Sequence, residues 1–110
     1  MSDFRSDNVS GVSKEVMDSI LAANSEMDSA YGDDKHTMNL VKRMSNLFER
    51  NVKVYPVSTG TAANTLSFAC SVPPYGAIFC EREAHVAVDE CNGPEFYTGG
   101  AKVVGLLGDQ

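Results

Sequence analysis

A chain of 110 residues is long enough for one modest domain, and its 43% hydrophobic and 22% charged content excludes the apolar-poor, charge-rich composition of a disordered segment. A formal net charge of −6 argues against a surface built to neutralise nucleic-acid phosphates or to lie on anionic lipid. Cys70, Cys80 and Cys91 form no C-x-x-C pair, and an odd count suits neither a disulfide framework nor a zinc site, so they are read as reduced and structural.

The opening Met1-Ser2-Asp3-Phe4-Arg5-Ser6-Asp7 lacks the basic start and apolar stretch of a secretory signal, and no run approaches the roughly 20 apolar residues of a membrane span. This reads as a soluble, cytoplasmic protein. Asp3 to Gly11 has no periodicity and is expected to be an extended arm. Ser13 then stands as the N-cap of a helix in which Val12, Val16, Met17, Ile20 and Leu21 recur at helical spacing. Tyr31-Gly32-Asp33-Asp34 is expected to be an irregular loop. A second helix follows, with Thr37 as its expected cap and Leu40, Val41, Met44, Leu47 and Phe48 on one face.

Val52 to Val57 is rich in β-branched and aromatic residues and predicts a strand. The small polar turn Ser58-Thr59-Gly60-Thr61 starts a third helix, whose Ala62, Ala63, Leu66, Ala69 and Cys70 would lie close on a sheet, and Pro73-Pro74-Tyr75-Gly76 ends it. Ala77-Ile78-Phe79-Cys80 predicts a strand buried on both faces. Ala87 to Cys91 predicts one or two helical turns, broken by Asn92-Gly93-Pro94. Ala101 to Leu107 predicts a third strand. Strand, helix, strand, short helix, strand is the pattern of a right-handed parallel α/β sheet. The chain stops at Gly108-Asp109-Gln110 with no helix for the sheet's other face, so truncation at the C-terminus is the expectation.

Val57-Ser58-Thr59-Gly60-Thr61-Ala62-Ala63-Asn64 is the segment that speaks to chemistry. A strand running through a Gly-Thr turn into a helix leaves free N–H groups and a positive dipole end at one spot, which suits an anion. Gly60 permits close backbone approach and the Thr61 hydroxyl can add a hydrogen bond. The alternative, in which Ser58, Thr59 or Thr61 merely caps an ordinary helix, stays open. The segment is neither a P-loop nor a dinucleotide fingerprint. His85 follows the second strand and so sits at the edge where open α/β sheets bind ligands, with a flat ring able to stack on an aromatic group. On local sequence alone a lone loop histidine such as His85 reads more readily as a surface or structural residue, and that alternative stays open; His36, beside Lys35 in a polar loop, is read as a surface residue. Asp33-Asp34 lacks the alternating oxygen ligands and closing Glu of a calcium loop, so it does not read as a metal site.

Taken together, Arg5-Ser6-Asp7, Tyr31-Gly32-Asp33-Asp34, Gly60-Thr61-Ala62-Ala63-Asn64 and Glu83-Ala84-His85 resemble the ordered motifs of the low-specificity L-threonine aldolases, within the wider β-eliminating lyase group. The resemblance covers nearly the whole chain. It implies an α/β fold, part of the large domain of a fold-type-I, aspartate-aminotransferase-like pyridoxal-phosphate enzyme. Residues 1–36 would then be the arm, first helix and tyrosine loop, and residues 37–110 the first part of the cofactor-binding domain.

The implied reaction cleaves threonine, allo-threonine or a related β-hydroxy amino acid to glycine and an aldehyde, in a homodimer or homotetramer. The implied roles are Gly60 and Thr61 on the cofactor phosphate, His85 on its ring and near the reacting hydroxyl, Ser6 on the substrate carboxylate, and Tyr31 on a loop that approaches a neighbouring subunit's site. The family's proline near the start of the first helix is absent from Ser10-Gly11-Val12-Ser13, and Lys35-His36 replaces a proline-containing stretch. Its Schiff-base lysine, pyridine-pairing aspartate and carboxylate-binding arginines lie past Gln110; Lys102 does not stand in for the lysine. The chain alone is therefore expected to be inactive and marginally stable. The alternatives are another lyase or transferase of the same fold, or a non-catalytic α/β module that binds a phosphate compound or pairs with a larger subunit.

Overall fold

The computed structural model describes residues 9–108, and the chain divides between Val54 and Tyr55 into two compact units. The first holds two helices, α1 (Lys14–Asn24) and α2 (Lys35–Leu47). Ser13 caps α1, accepting the Val16 N–H at 3.3 Å. The cap of α2 is Asp34 and not Thr37: one Asp34 carboxylate oxygen accepts the Thr37 N–H at 2.8 Å and the other accepts the Thr37 hydroxyl at 2.7 Å. A carboxylate three residues upstream reaches the free amides of the first turn and starts the helix earlier than a threonine cap would. These bonds hold the Asp34 carboxyl below the ordinary aspartate range, the Thr37 hydroxyl contributing most and the Thr37 N–H next.

Neither α1 nor α2 contains a fully buried residue, and Val16, Ile20, Leu21, Leu47 and Phe48 are exposed. The apolar faces expected from the spacing are present, and within this unit they remain largely uncovered.

The second unit runs α3 (Gly60–Ser71), β1 (Ala77–Glu81), α4 (His85–Val88), α5 (Gly93–Thr98) and β2 (Lys102–Leu106). The two strands pair in parallel, Ala77 opposite Lys102 through Glu81 opposite Leu106. This realises the expected parallel α/β connection, with two strands instead of three. Residues 52–57 form no strand. A strand needs a partner for its backbone groups, and among the described residues the amide of Val52 instead donates to the Ser45 hydroxyl at 3.3 Å. Tyr55 and Val57 line an open apolar cleft of about 630 Å³ with Ala63, Leu66 and Cys70 of α3.

The packed side of α3 is consequently the Thr65 side, which lies on α5. Thr65 is 4% exposed, and a β-carbon at Gly93 would stand 3.0 Å from its hydroxyl oxygen, so glycine sets how closely the two helices approach. Pro94, expected to break helical structure, instead opens α5, where a missing N–H costs nothing and the fixed φ suits the first turn. Strand β1 is covered on one side only: Ile78 is buried, whereas the next residue, Phe79, is 67% exposed. Alternation places these two on opposite faces.

The small core consists of Ile78, Ala101, Pro94 and the buried Thr98. The Thr98 hydroxyl donates to the Pro94 carbonyl at 2.7 Å and accepts the Ala101 N–H at 3.1 Å, which ties the end of α5 to the start of β2. At the other end of the sheet the turn after β1 closes back over β2, with the Arg82 N–H donating to the Leu106 carbonyl at 2.9 Å. That turn launches α4 and His85.

Candidate functional site

The first turn of α3 offers two unused amides. Thr59 is its N-cap: the hydroxyl accepts the Ala62 N–H and the carbonyl accepts the Ala63 N–H, each at 3.1 Å. The amides of Gly60 and Thr61 have no partner among the described residues. A helix leaves its first N–H groups without internal acceptors, and here the cap takes the deeper pair and leaves the outer pair. Capping and anion binding therefore draw on different groups, Thr59 serving the first. Among the described residues a β-carbon on Gly60 would meet nothing within 4 Å, so they leave the space beside these amides open.

His85 is the first residue of α4, four residues beyond the last residue of β1, at the C-terminal edge of the sheet. Its side chain is 65% exposed, but Nδ1 lies 3.0 Å from Glu90 Oε1. Glu90 is 3% exposed, and the same oxygen accepts the Asn64 side-chain N–H at 2.7 Å. Asn64 lies one turn past Gly60 and so on the same face of α3. A continuous link thus runs from the anion-ready turn of α3 through Asn64 and Glu90 to the imidazole. The second Glu90 oxygen and the Thr65 hydroxyl are buried without a partner among the described residues. Both residues line an open cleft of about 450 Å³ with Thr59, Thr61 and Gly93.

Glu90 carried no signal in the sequence. It lies 26 residues from Asn64, in a segment whose secondary structure the pattern left ambiguous. Asn64 stood inside a recognised motif without a role.

Among the other candidates, Tyr31 belongs to the first unit, fully exposed at φ 63° on a loop braced at its base. Asp28 accepts the Ser29 N–H at 2.8 Å and the Lys35 N–H at 3.2 Å, and Lys35 pairs with Glu26. Ser6 lies outside the described residues. His36 is exposed on α2. Lys102 pairs with Ala77 at the start of both strands, the sheet edge opposite to the one that His85 follows. The three cysteines are unpaired; Cys70 and Cys91 are exposed rather than buried. Among the described residues no cluster of His, Cys, Asp or Glu could hold a metal ion, and no helix is long and apolar enough to cross a membrane.

Helix N-termini with free amides and the C-terminal edges of strands are where open α/β sheets bind ligands. Residues 3–110 match the family model described as beta-eliminating lyase. The chain belongs to the beta-eliminating lyase family. Within that family, it is 39% identical over 101 residues to a low specificity L-threonine aldolase of Pseudomonas aeruginosa, covering 92% of this chain and 29% of that relative. A low specificity L-threonine aldolase of Pseudomonas sp. strain NCIMB 10558 is 38% identical, with the same coverage. A solved structure of Leishmania major threonine aldolase matches with a TM-score of 0.77 at 24% identity, over 90% of this chain and 29% of that one, which speaks for a shared fold. The chain spans 29% of the length of the relatives it matches.

Proposed function

We propose that this chain forms the phosphate- and ring-binding part of a pyridoxal-phosphate-dependent lyase that cleaves L-threonine, L-allo-threonine or a related β-hydroxy amino acid to glycine and an aldehyde. The observation that carries the reading is the hydrogen-bonded link from α3 through Asn64 and Glu90 to His85. It joins a phosphate-sized donor site to a planar, accessible ring within one small unit.

The residues fit the cofactor. Two unpartnered amides and the Thr61 hydroxyl meet an anion at a helix N-terminus, where the dipole favours negative charge. Gly60 leaves room for the phosphate, and the exposed imidazole face of His85 can lie against an aromatic ring. When bound, pyridoxal phosphate supplies an electron sink for the charge left by breaking the Cα–Cβ bond.

The chain's own residues orient that ring and exchange a proton. Gly60 and Thr61 fix the phosphate end. His85 would pack on the ring, and its free nitrogen would take the proton from the substrate hydroxyl, a general-base role that suits imidazole. Ser6 would meet the substrate carboxylate, and the braced, exposed Tyr31 would reach a neighbouring subunit of a homodimer or homotetramer. Three unpaired thiols suit a reducing, cytoplasmic location. The lysine that anchors the cofactor would come from outside these 110 residues, since Lys102 stands at the wrong sheet edge.

The test is glycine and acetaldehyde formation from L-threonine by the natural full-length polypeptide supplied with pyridoxal phosphate. Turnover with visible absorbance from bound cofactor is the expected result. A colourless, inactive protein overturns the reading, and a substrate panel favouring racemisation, transamination or β-elimination moves it to another enzyme of the same fold.

A further inference from the structure

Glu90 is a carboxylic acid with no exposed side-chain surface, and burying such a group is costly unless something requires it. Its Oε1 accepts from Asn64 Nδ2 on α3 at 2.7 Å and lies 3.0 Å from His85 Nδ1 on α4, so it meets two elements at one oxygen. Arg82, the lysine or arginine nearest in sequence, pairs instead with Glu83, and among the described residues no lysine or arginine pairs with Glu90. What it holds is the imidazole.

We propose that Glu90 is a positioning residue for His85, fixing the ring's orientation and its Nδ1–H tautomer, with Asn64 anchoring the carboxylate to the helix that carries the anion site. An ionised carboxylate only accepts hydrogen bonds. In the proposed arrangement Oε1 accepts a hydrogen bond from Nδ1–H, and the neutral ring keeps its lone pair on Nε2, the nitrogen with no partner among the described residues. A neutral imidazole is then held as a base at Nε2 and cannot turn its N–H toward an incoming hydroxyl. The same division of labour occurs wherever a buried carboxylate orients a working histidine. Because Asn64 lies one turn from Gly60, the distance from phosphate site to ring is set within this unit.

The value of this orientation to catalysis rests on the reading under Proposed function; the tautomer does not. The experiment uses the natural full-length polypeptide with 15N-labelled histidine, at about pH 8.5, where an ordinary imidazole is neutral. His85 is assigned by the loss of its signals in His85→Asn. The wild type is expected to show the Nδ1–H tautomer for His85. Glu90→Met, which keeps bulk but removes the acceptor, is expected to lose that tautomer and, in the cofactor-loaded enzyme, to lower kcat about 10- to 100-fold, the usual size of an orienting-partner effect, with a smaller change in KM. Glu90→Gln retains an acceptor oxygen and is expected to keep the tautomer and most of the rate.

A wild-type His85 in the Nε2–H form overturns the proposal without any variant, which covers the case in which Glu90→Met fails to fold. So does a folded Glu90→Met with wild-type tautomer and rate, or a Glu90→Gln as impaired as Glu90→Met. If the tautomer responds as expected but the protein neither binds pyridoxal phosphate nor cleaves threonine, the positioning role stands and the proposed activity falls.

Discussion

Arg82 and Gly105 stand so close that a β-carbon on residue 105 would lie 2.9 Å from both the Cα and the Cβ of Arg82. The turn that carries the chain from β1 to His85 crosses β2 at this point, and backbone cannot give way as a flexible side chain can. Gly105→Ala is expected to destabilise the protein by about 1–3 kcal/mol, the range for forcing an extra carbon into filled space, and to displace the turn ahead of His85. Thermal unfolding reads the first effect, and a shift of the Ala84 and His85 backbone amide resonances reads the second. An alanine variant with unchanged unfolding temperature contradicts the packing described.

Gly60 behaves in the opposite way. A methyl there meets nothing among the described residues and alanine is the better helix former. Gly60→Ala is therefore expected to leave the unfolding temperature unchanged or slightly raised while weakening pyridoxal-phosphate binding by about tenfold, equivalent to about 1.4 kcal/mol. Cofactor titration followed by visible absorbance checks this, and undiminished affinity removes Gly60 from the phosphate site.

The buried Thr98 hydroxyl satisfies the amide of the fully buried Ala101. Thr98→Val keeps the shape and leaves that N–H without an acceptor, at an expected cost of about 1–3 kcal/mol. Accelerated hydrogen exchange at residue 101 is the local signature; exchange as slow as in the wild type counts against the bond.

Asp34 gives a dependence on pH. Its carboxyl is held below the ordinary value by the Thr37 hydroxyl first and the Thr37 N–H second. A depressed folded pKa means that the cap's contribution is fully present above the ordinary aspartate value and is lost as pH falls through the lower, folded one. The Thr37 amide resonance should move in acid with a midpoint below the ordinary aspartate value, and Asp34→Asn, which caps equally well, should abolish that movement. A midpoint at or above the ordinary value contradicts the assignment.

Local signals in the sequence were enough for the elements whose causes are local. Ser13 and the spacing of Val16 and Ile20 marked α1, the Thr59-Gly60 turn marked α3, and the apolar run from Ala77 marked β1. Thr37 was misread as a cap because Asp34, a better one, stood inside a run of turn-formers. Residues 52–57 have the composition of a strand, but pairing depends on a partner and not on composition. Pro94 reads equally as a breaker or as a first-turn residue, and only the packing of α5 on Thr65 decides between them. The places of Gly60 and Thr61 at a helix start and of His85 after a strand edge were legible because local pattern can locate such positions. Glu90 was not, since its meaning comes entirely from Asn64, which the fold brings to it across two elements.

The measurement that bears most directly on the central claim is a crystal structure of the natural full-length polypeptide grown with pyridoxal phosphate. The expected density places the phosphate within hydrogen-bond distance of the Gly60 and Thr61 amides, with the pyridine ring stacked on His85 and His85 Nδ1 still on Glu90. A phosphate bound away from the start of α3, or a ring that does not touch His85, would contradict the account.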